Sequence, residues 1–276
     1  MTGLTVYPVK SMRGIALPAA RLAPEGLEHD RRFMVTRPGG RFVTQRDLPR
    51  LALIETRLEN DCIALSAPGM GALSVPFGRD DGEPLPVRIW GQECAAVDQG
   101  DTISRWLTEA LHSPEPLHLV AMTAGFVRPQ AKPADLGADT HTLFADAAPF
   151  LVANEASLAA LNGALAENGH DPVPMNRFRP NIVLDGPTAF AEHAASAVDG
   201  PGYALRLAHP CQRCLVTTID QATAESDPQR EPYRTLVRLN PMPDRRDAPA
   251  FGQNASLASG PGATIRVGDR VTLTGR

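Results

Sequence analysis

The stretch HPCQRCLVTTID at 209–220 gathers the most chemically active side chains of the sequence: Cys211 and Cys214 with Arg213 between them and His209 just ahead. CxxC spacing suits three chemistries. Structural zinc needs four thiolate or imidazole ligands, and with no second closely spaced Cys/His pair only His209 stands near as a third. A thioredoxin-like redox pair opens a helix after a strand, whereas 215–219 is β-branched and alternating and reads as a strand that follows the pair. The third chemistry is a single cysteinate, Cys214, ligating a soft transition metal from a rigid strand entrance, with Cys211 incidental. Two ordinary half-buried thiols are the alternative without function. Arg213 can donate in a planar fork to phosphate or carboxylate, and a positive charge beside a thiol favours the thiolate.

Other donors fall in three places. Lys10 and Ser11 follow an expected strand and precede Arg13 and Gly14, a combination that suits an anion at a turn. Arg31 and Arg32 are adjacent on an expected strand, so only one of them can face a cavity. Arg177, Arg179 and Asn181 alternate along a segment read as extended, giving either a donor-rich face for a phosphate and the edge of a ring or a basic strand edge. Asp146, in FADAAPF, could position a substrate, relay a proton or close a turn. The seven histidines show no HxH or HExxH spacing.

These residues need elements to hold them. The 276 residues can bury sizeable cores without staples, and 26 prolines and 23 glycines suit short strands joined by turns. Residues 1–125 carry a succession of alternating apolar segments, with PGG at 38–40 as a hairpin turn, Asn60-Asp61 as a weaker one, and a single helix at 101–111 capped by Asp101. The regular spacing points to a barrel or rolled sheet. Residues 126–142 read as a connector. A helix at 156–168, capped by Asn154 or Ser157, is followed by strands at 178–184, 203–209, 214–219 and 264–273, with a loop at 222–250 holding a helical turn near EPYRTL. The expected fold class is therefore α+β, mainly β, with two β-barrel-like domains at 1–125 and 126–276. A net charge of -4 without a lysine-rich arm argues against general nucleic-acid binding, no apolar run reaches membrane-spanning length, and four scattered cysteines suggest a reducing cytoplasm.

YPVKSMRG at 7–14, GLEHDRRFMV at 26–35 and FVTQRDLPRLALI at 42–54 resemble the N-terminal β-barrel domain of MOSC proteins. RFRPNIV at 177–183, HPCQRCLVTTID, EPYRTL at 231–236, FGQN at 251–254 and IRVGDRV at 265–271 resemble the MOSC domain, in matching order. The resemblance is to the group that includes mitochondrial amidoxime-reducing components and bacterial proteins acting on N-hydroxylated bases. It implies molybdenum cofactor, that is molybdopterin, held by Lys10, Ser11, Arg31, Arg179, Asn181 and Arg213, with Arg32 and Arg46 as second choices for Arg31. Cys214 would ligate molybdenum. Cys214 and Asp146 would serve catalysis in two-electron reduction of N–O bonds in amidoximes, hydroxylamines or N-hydroxylated bases. Without a C-terminal CxxxxCxxC module, electrons are expected from separate ferredoxin or flavin reductase proteins. A non-catalytic carrier of the cofactor or its sulfurated form would use the same binding residues. The sequence departs from the family pattern at 192–200, which lacks a tryptophan, and at 236–250.

Overall fold

The computed structural model describes residues 1–128, 133–137, 139–186 and 188–275. The fold is mainly β with a few helices. Its largest sheet holds 8 strands in the spatial order Thr272–Gly275, Ala195–Gly200, Tyr203–Gln212, Ala250–Ser259, Phe150–Asn154, Ile182–Leu184, Gly3–Val6, Ile15–Ala16. Phe150–Asn154 and Ile182–Leu184 are parallel, joined by the crossover helix Glu155–Glu167. Gly3–Val6 then pairs antiparallel with Ile182–Leu184, Leu4 opposite Ile182. The first strand of the chain is thus built into a sheet made mostly by its second half.

The cores follow the same interlacing. Leu4, Val6, Leu22 and Leu27 pack in one apolar cluster with Phe150, Val152, Ile182, Leu205, Ala255 and Ile265. A second cluster lies among the short sheets of residues 33–122: Phe33, Val35, Ile63, Leu65, Val75 and Leu119 from strands meet Ile103 and Leu107 from the helix Asp101–Ala110. That helix buries the stripe its spacing foretells, but Asp101 is not its cap. Gly100 takes that position at φ 103, and its N–H donates to Asp98 Oδ1 at 2.8 Å. The expected turn at 38–40 forms, with Gly39 and Gly40 at φ 80 and 78.

Five segments differ from their expected form, the strand expected at 264–273 being two, Thr264–Arg266 and Thr272–Gly275, in different sheets. Residues 51–59 read as one alternating apolar strand, but Pro49–Leu53 is a 3-10 turn and the strand begins only at Glu55, because Pro49 sets a helical φ and Leu51 and Ala52 are buried in succession. Leu215–Thr218 is likewise a 3-10 turn. Thr217 Oγ1 donates to the Cys214 carbonyl at 3.0 Å and Thr218 Oγ1 to that of Leu215 at 2.8 Å, so side-chain hydroxyls close the backbone locally and outweigh β propensity. Residues 178–181 are not extended, since Arg179 stands at φ 54. Arg31, at φ 45, lies in the turn before the strand Phe33–Thr36 rather than on it. The connector expected at 126–142 lies partly outside the described residues, and no described helix is long and apolar enough to cross a membrane.

Candidate active site

Lys10, Ser11, Arg31, Asp146, Arg179, Asn181, Arg213 and Cys214, drawn from the whole length of the chain, all line one cleft of about 440 Å³. Arg46 lines it too, whereas Arg32 borders a separate surface groove beside His29 and Phe77. Arg177 turns to Asp220, at 2.8 Å.

The anionic corner is built on Lys10. Its Nζ donates to the Phe144 carbonyl at 2.9 Å and to Asp146 Oδ1 at 2.6 Å, and the same oxygen accepts the Trp90 indole N–H at 2.7 Å. Burial pushes Lys10 below its ordinary range, against the pull of Asp146. For Asp146, whose side chain is only partly withdrawn from solvent, that desolvation would raise the carboxyl, but the Lys10 charge and the Lys10 and Trp90 hydrogen bonds outweigh it and hold it at about 2. At neutral pH Asp146 is therefore a carboxylate that accepts hydrogen bonds and has no proton to give. Arg128 fixes the loop carrying it, with Nη1 donating to the carbonyls of Leu143 at 3.0 Å and Ala145 at 2.6 Å.

Opposite lies a cationic stack. The Tyr7 ring has the Arg31 guanidinium at 4.2 Å and that of Arg179 at 4.3 Å. Arg31 Nη1 is tied to both oxygens of buried Asp30, at 2.8 and 2.7 Å. Burial raises the Asp30 carboxyl while Arg31 lowers it, with the rise prevailing. Asn181 also donates to Asp30, at 3.0 Å, and to the Thr5 carbonyl, at 3.2 Å, while its Oδ1 accepts from Leu151 N–H at 3.2 Å. Both ends of that amide are engaged, so Asn181 shapes the cleft by tying the first strand to the strand Phe150–Asn154.

Of the four buried guanidinium nitrogens without a partner among the described residues, on Arg37, Arg177, Arg179 and Arg213, the last two belong to residues that line the cleft. Arg179 Nη2 and Arg213 Nε reach neither solvent nor a hydrogen-bond acceptor. Burial, then repulsion from Arg31, pulls Arg179 down to about 10, which leaves it charged at neutral pH. Arg213 spends its other nitrogens on the Phe178 carbonyl, at 2.8 Å, and on Cys211 Sγ, at 2.9 Å. The arginine between the cysteines therefore serves the first thiol, and Cys214 stands exposed at the head of the 3-10 turn. Cys211 lies within the strand Tyr203–Gln212 and a 3-10 turn follows Cys214, so the strand expected after the pair, which argued against a redox pair, is not there. Among the described residues no three His, Cys, Asp or Glu side chains converge on a common point, and His209 accepts a hydrogen bond from Asn254 at 3.1 Å. In sum, Lys10, Arg31, Arg46, Arg179 and Arg213 face a single cleft carboxylate, Asp146, in a chain of net charge -4. Such a cleft attracts an anion.

Residues 1–114 match the MOSC N-terminal beta barrel domain and residues 139–272 the MOSC domain. The chain is also 34% identical over 286 residues to mitochondrial amidoxime-reducing component 1 of Mus musculus, an alignment covering 99% of this chain and 82% of that protein. The chain belongs to the MOSC family. The Homo sapiens component 1 is 34% identical with the same coverage, and component 2 of Bos taurus is 30% identical over 280 residues, 97% of this chain and 81% of that one. Sequence reasoning missed Trp90 in the lining of this MOSC cleft and three residues that hold its walls: Tyr7, Asp30 as a buried counter-ion, and Arg128. Only Tyr7 and Asp30 carried a signal, since both sit inside the motifs YPVKS and EHDRR.

Proposed function

We propose that the chain is an enzyme that holds molybdenum cofactor in this cleft and reduces N-hydroxylated compounds. The observation that carries the reading is the pair of unpartnered, buried guanidinium donors, Arg179 Nη2 and Arg213 Nε, beside an exposed thiol in a cation-rich cleft. A buried polar donor without an acceptor is costly, and an anionic group bearing phosphate oxygens would satisfy both. The set of donors fits molybdopterin: cations for its phosphate, an exposed soft sulfur, Cys214, for the metal while Cys211 is engaged by Arg213, and no competing carboxylate or imidazole cage among the described residues. The bound cofactor would supply a two-electron redox centre. The names of the relatives support amidoximes as one substrate type.

The protein's own residues act around that centre. Lys10, Arg31, Arg179 and Arg213 bind the anion, Ser11 and Asn181 shape the wall, and Cys214 provides the protein sulfur. Asp146, ionised at neutral pH, orients the substrate by accepting a hydrogen bond. The reaction balances as R–NHOH plus two protons and two electrons giving R–NH2 and water, with the electrons delivered by separate ferredoxin or flavin reductase proteins.

The test is metal and pterin analysis of protein from a host that makes the cofactor, with a chemical reductant and hydroxylamine as substrate. Near-stoichiometric molybdenum and pterin are expected in wild type. Cys214→Ala should lose metal and all turnover. Arg179→Met should lose pterin while the cofactor-free protein melts no lower, because an unpaired buried charge has been removed. Absence of pterin from fresh wild type, or zinc in its place, would sink the reading. Full loading without turnover would support a carrier instead.

A further inference from the structure

Trp90 is held at a cost that packing does not explain. It stands at the tip of the hairpin formed by Val87–Ile89 and Gln92–Cys94, in the left-handed region at φ 48, followed by Gly91 at φ 87. Two successive positive φ angles make the tight turn that matches strand twist, and asparagine or glycine normally supplies them. Here the first is a tryptophan, 55% exposed. Backbone strain under an exposed indole points to a use at the surface.

The ring is nevertheless fixed. Phe42 meets it edge-on at 5.3 Å between centroids, the Arg46 guanidinium lies 5.2 Å from its centre, and its N–H is spent on Asp146 Oδ1 at 2.7 Å. It borders the cleft that holds Cys214 and, on its outer side, a groove lined by Phe42, Arg88 and Glu93. Asp146 uses one oxygen for both Lys10 and Trp90. Oδ2 accepts no hydrogen bond among the described residues, on a side chain 61% exposed.

We infer that Trp90 and Asp146 Oδ2 form the substrate-selecting seat at the mouth of the cleft, taking planar aromatic substrates whose ring stacks on the indole and whose edge N–H donates to the carboxylate. This rests on the reductase reading and names the residues that choose among its substrates. An indole offers a large, rigid face at little conformational cost, and offset stacking favours a flat ring over a puckered one of equal size. The carboxylate stays ionised at neutral pH, so it rewards a donor at the edge of the ring and repels carboxylate-bearing rings. Arg46 covers part of the indole, and an incoming ring takes its place or stacks beneath it.

Calorimetry on the purified holoprotein with two amidines of one head group, benzamidine and cyclohexanecarboxamidine, reads this directly. Wild type should bind the flat ring more tightly. Trp90→Leu should weaken benzamidine ~10-fold or more and abolish the difference between the two, since stacking on one aromatic side chain carries at least that much. Trp90→Phe, which keeps an aromatic face and the small change in volume, should retain most of the preference, and Asp146→Asn should weaken both amidines. Equal binding of the two by wild type, or unaltered benzamidine affinity in both Trp90 variants, overturns the seat. Wild-type hydroxylamine reduction, measured beside it, involves no ring: its absence defeats the reductase reading, while the ring preference is decided by the calorimetry alone.

Discussion

Lys10 and Asp146, 2.6 Å apart, set the charge at one end of the cleft, and their coupling can be titrated. Asp146 is depressed from its ordinary 3.8 to about 2 by the lysine, against burial. A carboxyl depressed on folding stabilises the native state above its unfolded value, and that contribution fades as pH falls from about 4 through about 2. With more than half of the Asp146 side chain exposed, the contribution to global stability is small, so the carboxyl itself is the better reporter. Lys10→Met should raise the Asp146 titration by about one unit or more, towards the ordinary range, in a carbon-13 NMR pH series. An unmoved midpoint would mean that Trp90 alone holds the carboxylate. The same lysine was legible from YPVKS, and Asp146 as a turn acid or a catalytic carboxylate, but their pairing was not, because the two lie 136 positions apart and nothing local joins them.

Elements were legible where one periodicity ruled them. The helix Glu155–Glu167 begins and ends within a residue of expectation, its cap Asn154 accepting from Ala156 N–H at 3.2 Å, because its apolar face and its cap agree. The 3-10 turn after Cys214 was hidden because its threonines read as strand formers until their hydroxyls are seen closing on the backbone. Trp90 was hidden for a different reason: residues 85–97 read as one of the alternating apolar segments of 1–125, and an unbroken strand has no tip. Glycine gives a quantitative test at this scale. Gly252 in the FGQN segment stands at φ +73 within Ala250–Ser259, and a Cβ there would meet the Val152 carbonyl oxygen at 2.8 Å. Gly39 stands at φ +80 with nothing within 4 Å. Gly39→Ala should cost only the left-handed conformation, about 1 kcal/mol, and Gly252→Ala about 2 kcal/mol or more, because it adds a backbone collision in a central strand. Urea denaturation measures both, and equal costs would mean that the central strand yields without resistance.

At the scale of the whole molecule, the cleft exists because the two ends of the chain are interlaced. Lys10 and Arg31 come from the first thirty or so residues, and Arg213 and Cys214 from the last third. What brings them together is the antiparallel pairing of Gly3–Val6 on Ile182–Leu184, knotted by Asn181 to Thr5 and Asp30. The pairing of Ala19–Ala23 with Thr264–Arg266 adds a second seam. The family matches divide the chain into one segment at 1–114 and another at 139–272, as though the second could fold by itself. The packing opposes that. Residues 126–276 by themselves would expose the edge of Ile182–Leu184 and strip Leu4, Val6, Leu22 and Leu27 from the core they share with Phe150, Leu205 and Ile265. An uncovered apolar edge strand is a template for aggregation. The fragment 126–276 should accordingly be insoluble or lack the near-ultraviolet circular dichroism of fixed side chains, and restoring residues 1–30 through a flexible linker should recover part of both. A soluble, cooperatively melting 126–276 that binds pterin would show that the first strand decorates the sheet rather than completing it, and the cationic stack on Tyr7 would then be dispensable for holding the anion.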